Sequence, residues 1–103
     1  MIREEDIQAL AHKIGERFHP QKIILFGSWA YGSPEAHSDV DLLIIQETAL
    51  PPHRRGLEIR KFLWPPSFPM DILVLTPAEV AEDQNVRGTL INLVLKKGRV
   101  LYG

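Results

Sequence analysis

The sequence predicts an α/β or α+β fold in which one small sheet is covered by helices. Three observations predict it. An amphipathic stripe runs over residues 2–18, short apolar runs at 22–26, 38–46 and 70–75 are bounded by turn formers, and helical patterns lie between and after them. The length of 103 residues allows one domain, 1–103, that buries roughly 60–70% of the surface its unfolded chain exposes. With 45% hydrophobic and 24% charged residues the composition is that of a folding globular chain, not a disordered or fibrous one.

Taken in order, Ile7, Leu10, Ala11, Ile14 and Phe18 recur at three- and four-residue spacings, the stripe of a helix packed on a core, and His19-Pro20 stops it. Lys22 to Phe26 is a short β-branched strand ending at Gly27. Gly32 and Pro34 limit residues 28–37 to a short helical turn and a loop. Ser38 to Gln46 reads as a second strand, polar at its start and nearly continuous in apolar residues afterwards, as when both faces become buried. A helix over 54–63 follows Leu50-Pro51-Pro52 and ends at Trp64-Pro65-Pro66, with Trp64 assigned to packing. A third strand spans 70–75. Thr76-Pro77-Ala78-Glu79 then supplies a cap, a proline at the first helical position and an acidic first turn. Residues 86–96 read as a last helix ending at Gly98, and 100–102 as a final strand.

Several function classes are excluded or disfavoured. With no cysteine there is no disulfide, thiolate zinc site or thiol nucleophile. The charged start, Met1 to Asp6, does not fit a signal peptide, and no apolar run approaches the roughly 20 residues of a membrane span, so a soluble cytoplasmic protein is expected, without a membrane partner. Twelve Lys and Arg against thirteen Asp and Glu give a net charge of −1, which argues against long nucleic acids as partners. Lys96, Lys97 and Arg99 read as the basic end of a helix. His12, His19, His37 and His53 lack metal-ligand spacing, although His37 stands near an acidic pair and is a candidate for substrate contact.

That pair is Asp39 and Asp41. On a strand, side chains two apart share a face, with Cα atoms roughly 6.6 Å apart, and a neighbouring strand about 4.8 Å away brings Asp71 to the same place. Three carboxylates around a small volume repel one another unless a cation joins them. Oxygen ligands without His or Cys favour Mg²⁺, with Mn²⁺ the alternative, and Mg²⁺ usually binds through one or two carboxylates plus waters and substrate phosphates. Gly27-Ser28 ends the preceding strand, where a residue without a Cβ lets amides and a hydroxyl approach phosphate oxygens. Gly32 closes the same turn. Alone, the glycine pair reads as a turn, the acids as a solvated strand edge, and Ser38 as a turn cap.

Together, Gly27-Ser28-Trp29-Ala30-Tyr31-Gly32, five residues, and Ser38-Asp39-Val40-Asp41-Leu42 resemble the signature of the minimal nucleotidyltransferases of the DNA polymerase beta superfamily. Met70-Asp71-Ile72-Leu73-Val74 resembles that family's strand with the third carboxylate, and the likeness extends from the leading helix to the terminal Leu101-Tyr102-Gly103. The resemblance implies a nucleotidyltransferase fold with a small mixed sheet. It implies catalytic and metal-binding roles for Asp39, Asp41 and Asp71, two Mg²⁺ ions, and a nucleotide-binding set of Gly27, Ser28, Gly32 and Ser38. The implied reaction is transfer of AMP from ATP to a hydroxyl acceptor. The implied partner is a HEPN-domain protein, the toxin of a toxin–antitoxin module in which this chain is the antitoxin; oligomerisation is left open. Relatives place Arg after the Gly-Ser pair, whereas this chain has Trp29. Arg54, Arg55, Lys61 and Arg87 are candidates to replace that charge, each otherwise a surface residue. Trp29 thus favours a second reading, a weakly active binding module that neutralises a HEPN partner by contact. A stand-alone transferase for a small molecule would need more binding surface than this length offers.

Overall fold

The computed structural model describes residues 2–32 and 39–103. Its centre is a four-stranded mixed sheet in the order β3-β2-β1-β4, made of β1 (Lys22–Phe26), β2 (Val40–Ile45), β3 (Met70–Leu75) and β4 (Arg99–Tyr102). β1 runs antiparallel to β2 and β4, while β2 and β3 are parallel and joined by a crossover that carries α3 (Leu57–Phe62). The remaining helices are α1 (Glu4–Phe18), α2 (Ser28–Tyr31), α4 (Pro77–Asp83) and α5 (Leu90–Lys97).

Helices cover the sheet on both faces, which explains why β2 is nearly all apolar. Val40, Leu42 and Ile44 join Ile23, Leu25 and Val74 beneath Ile7, Ala11 and Ile14 of α1 and Ile59 of α3. On the other face Leu43 and Ile45 join Ile24 beneath Val80 of α4 and Ile91 and Val94 of α5. Each of these side chains contributes about 1.5–3 kcal/mol when fully buried, so β2 is the strand on which both cores depend.

Local chemistry sets the ends of the elements. The Arg3 N–H donates to Asp6 Oδ2 at 2.9 Å, which caps α1, and His19 closes that helix in the left-handed region with φ 50°. Gly15 faces the Tyr102 ring so closely that a Cβ there would overlap it, so α1 lies directly on β4. Arg99 reinforces the same contact by donating to Glu4 at 2.6 Å. Thr76 caps α4 reciprocally: the Glu79 N–H donates to Thr76 Oγ1 at 3.2 Å, and the Thr76 N–H donates to Glu79 Oε1 at 2.8 Å.

Three predicted elements are shorter than the sequence pattern suggests. The helix expected over 54–63 begins only at Leu57, after a separate 3₁₀ turn, Pro52–Arg54, with Arg55 and Gly56 between the two. The helix expected over 86–96 begins at Leu90. Gly88 bends there with φ 86°, and Thr89 Oγ1 accepts from the Asn92 N–H, starting the helix afresh. The strand expected over 38–46 spans Val40–Ile45. Among the described residues no helix is long and apolar enough to cross a membrane.

Arg55 is a surface residue in the sequence pattern, yet only 9% of its side chain is exposed. Its guanidinium donates to Glu79, to the Leu50 carbonyl at 2.9 Å and to the Val74 carbonyl, tying the loop after β2 to the end of β3 and the start of α4. The Thr76 N–H and then the Arg55 side chain hold the Glu79 carboxyl below its usual range. A carboxyl with a depressed folded pKa stabilises the fold fully above its unfolded pKa, and that contribution disappears as pH falls through the folded pKa. Glu79→Gln is therefore expected to be less stable than the parent at neutral pH. Urea midpoints measured from about pH 7 to about pH 3 should show the gap closing as the acid range is entered; a gap independent of pH would refute this account.

Candidate active site

The site begins with the bend that ends β1. Gly27 has φ 75° and ψ −161°, a conformation that side chains larger than hydrogen disfavour strongly. Phe26 pairs with Asp41 across the β1–β2 ladder, so this bend sits beside the acidic start of β2. A Cβ on Gly27 would overlap Asp41 Oδ2. The glycine is therefore required twice, once by the backbone and once by the carboxylate packed against it.

Ser28 opens α2, a single turn in which the Ala30 and Tyr31 N–H groups both donate to the Gly27 carbonyl at 3.0 Å. Gly32 closes it in the left-handed region with φ 97°. The expected short helical turn between two glycines is thus present. Trp29 and Ala30 pack against the main core, which fixes α2 beside the strands.

The carboxylates are placed by β2 and β3. Asp41 and Asp71 are register partners in the parallel ladder, and side chains at one register position of a parallel pair lie on the same face. This is the face covered further along by α4 and α5; their core ends at Leu43 and Leu73, leaving Asp71 exposed and Asp41 half-buried. Asp39 lies just ahead of β2 and is exposed. Burial, then the charge of Asp71, then that of Asp39, push the Asp41 carboxyl above its usual range. Asp71 and Asp39 are thus close enough to oppose the ionisation of Asp41.

They do not, however, form a ready-made cage. Among the described residues no three His, Cys, Asp or Glu side chains are arranged to hold a metal ion. The strand register brings Asp41 and Asp71 side by side, whereas the expected closed set of three carboxylates around one small volume is not formed among the described residues. The donor set itself, carboxylate oxygens with no nitrogen or sulfur beside them, suits a hard divalent ion, and Mg²⁺ needs only one or two such ligands when water and phosphate supply the rest.

Ser38 and His37 lie outside the described residues. Of the basic residues considered as replacements for a charge after the Gly-Ser pair, Arg55 is committed to Glu79 and Lys61 faces Glu58 at 3.9 Å. One basic residue escaped the sequence reading. Arg60 lines a groove together with Asp39, Trp64 and Phe68. Trp64, expected to pack inside, is 76% exposed at that groove. Arg60 is exposed next to the buried Ile59 on α3, and nothing in the sequence pattern linked it to the acids.

A glycine bend beside Asp41 and Asp71 on the two parallel strands, with Asp39 just ahead of them, fits a nucleotidyltransferase domain. Residues 7–101 match the family described as Nucleotidyltransferase domain, and the chain belongs to that family. It is 32% identical over 98 residues to the bifunctional uridylyltransferase/uridylyl-removing enzyme of Methylococcus capsulatus (strain ATCC 33009 / NCIMB 11132 / Bath), an alignment covering 93% of this chain and 11% of that protein. The chain therefore spans only a small part of the length of this curated relative. Its fold is also that of one chain in a solved crystal structure of a toxin–antitoxin MntA-HpeT mutant, with a TM-score of 0.58 over 99% of this chain and 74% of that chain. At 22% identity that likeness is one of fold.

The double requirement for Gly27 yields a test. Gly27→Ala is expected to destabilise the protein by about 1–3 kcal/mol in denaturant unfolding. Part of that cost comes from the Asp41 carboxylate, so in an Asp41→Ala background the same substitution should cost less, by about 0.5 kcal/mol or more. Equal costs in both backgrounds would show that the carboxylate does not rest on the glycine.

Proposed function

We propose that this chain transfers a nucleoside monophosphate, AMP from ATP, to a hydroxyl acceptor. The observation that carries the reading is the packing of Asp41 against the Gly27 bend with Asp71 in register beside it, which puts acidic ligands next to the glycine turn. Gly27 and Ser28, with Gly32 closing their turn and Ser38 preceding the acids, hold the triphosphate. Asp39, Asp41 and Asp71 hold Mg²⁺, two ions in the full reaction or Mn²⁺ in its place. Bound there, divalent ions neutralise the triphosphate and lower the charge that builds on the attacking and leaving oxygens.

The residues of the chain supply the rest. The acceptor oxygen bonds to the α-phosphorus as the bond from that phosphorus to the bridging oxygen of pyrophosphate breaks. The hydroxyl proton passes to an Asp71 carboxylate oxygen, and pyrophosphate leaves with the electron pair. Positioning and charge neutralisation are the whole of the catalysis, and no covalent enzyme intermediate is required.

The acceptor is carried by a HEPN-domain toxin, for which this chain is the antitoxin in the cytoplasm. Support comes from the motif resemblance and from a fold shared with a chain of a toxin–antitoxin structure. A second reading, a binding module that neutralises its partner by contact with little turnover, is favoured by Trp29, which packs into the core where relatives carry a cation, and by the open arrangement of the acids.

Incubation with ATP labelled at the α-phosphate, Mg²⁺ and a HEPN-domain protein separates the two. Transfer of label to the partner is expected, with Asp41→Asn lowering the rate about 100-fold or more while leaving the circular dichroism spectrum unchanged. A tight complex without label transfer, unaffected by Asp41→Asn, would establish the binding module instead.

A further inference from the structure

A triphosphate demands more positive charge than its metals bring. Two divalent ions do not balance three carboxylates and a triphosphate, so a further cation at the phosphate end lowers the energy of the loaded site. Trp29 carries no charge, Arg55 is committed to Glu79, and Lys61 faces Glu58.

The register of the sheet brings a different pair of cations to the Gly27 bend. Phe26, Asp41 and Asp71 are successive register partners across β1, β2 and β3, so they form one row on one face. On the other side of β1, Leu25 is the partner of Arg99 in an antiparallel ladder. From that pair, β1 leads forward to Phe26 and Gly27 while β4 leads back, in the same direction, to Gly98 and Lys97. A Cβ on Gly98 would lie 3.0 Å from the Leu25 carbonyl oxygen and 2.7 Å from Ile24 Cγ2, so the junction of α5 and β4 is pressed against the end of β1. Adjacent strands stand about 4.8 Å apart. The last turn of α5 is therefore at the same end of the sheet as the bend and one strand away, a gap that the four-carbon stem of a lysine can cross.

α5 also covers the face that holds the acids. Ile91 and Val94 pack on Ile24 and Leu43, and Ile24, Leu43 and Leu73 form the row next to Phe26, Asp41 and Asp71. Lys96 and Lys97 close the helix, both are exposed, and among the described residues neither has a carboxylate partner. Arg99, by contrast, is taken up by Glu4. Across this end of the sheet the order is Asp71, Asp41, the Gly27 bend and the two lysines. A triphosphate whose α-phosphorus lies by the acids extends its other phosphates past the bend toward the lysines. Lysines in a last helical turn also complement the helix dipole, but that role alone predicts no effect on a ligand.

We propose that Lys97, with Lys96 beside it, binds the terminal phosphates of the nucleoside triphosphate and supplies from α5 the positive charge that Trp29 lacks. An ammonium is a compact charge with three donors, suited to phosphate oxygens. The proposal rests on the nucleotidyl-transfer reading for its substrate, and the polyphosphate contact is measurable apart from the chemistry.

Isothermal titration calorimetry of the whole chain in Mg²⁺ with ATP, AMP or inorganic tripolyphosphate tests it. The parent protein should bind ATP and tripolyphosphate. Lys97→Ala should weaken both about tenfold, and the double substitution Lys96→Ala, Lys97→Ala further, with AMP affinity held. Lys97→Arg should restore most of the loss. An ATP-to-AMP affinity ratio unchanged by the double substitution, whatever the shift in its urea midpoint, leaves the lysines with the helix dipole alone and overturns the proposal, as does a parent protein that binds neither ATP nor tripolyphosphate. Labelled ATP below saturation, with a HEPN-domain protein, reports the chemistry separately. Label transfer undiminished by the double substitution overturns the lysine contact and leaves nucleotidyl transfer standing. Lysine-dependent binding of ATP and tripolyphosphate without label transfer counts against nucleotidyl transfer and leaves the contact standing.

Discussion

Asp41 can occupy its place only because the chain has no side chain at Gly27, and most of the site follows from that contact. The glycine conformation turns the chain out of β1 just where its partner strand begins, so α2 and the acidic start of β2 share one end of the sheet. A carboxylate pressed against backbone loses solvent on one side, and burial is the largest influence raising its pKa, ahead of Asp71 and Asp39. The geometry that seats Asp41 against the bend is thus also the geometry that opposes its ionisation. Scaffold and electrostatics have one origin here, the register of β1 on β2.

β2 carries the other half of the argument. Its later residues are buried on both faces, which anchors the strand between two cores, while its first residues lie beyond the helices that cover them. Asp41 and Asp71 share the face that α4 and α5 cover, but beyond the limit of that core. The apolar end therefore holds the acidic end in place without crowding it. Arg55 contributes at a distance, since its bonds to Leu50, Val74 and Glu79 fix the crossover that sets β3 parallel to β2.

The elements legible in the sequence were those whose residues state their own environment. The stripe in α1, the doubly buried run in β2 and the Thr76-Pro77-Glu79 start of α4 each encode a local physical preference, and each is found. Gly27 and the acids were legible as a spaced pair of motifs, and the parallel register supplies the nearness of Asp71 that spacing alone could only suggest. What escaped depended on contacts distant in the chain. Arg55 looks like any helix-surface arginine until Glu79 is folded over it, and Trp64 looks like a core residue until the loop before β3 carries it outward. Arg60 belongs with these, because a groove between α3 and the acids has no signature in either segment.

The same reasoning explains why the acids are not closed around a point. Convergence of three carboxylates raises the energy of the empty protein, since each added charge further opposes ionisation of Asp41. On the proposed function, that repulsion is relieved by opposite charge arriving with the substrate. Trp29 ties α2 to the core through packing. The fold thereby gains a firmly seated bend beside the acidic start of β2.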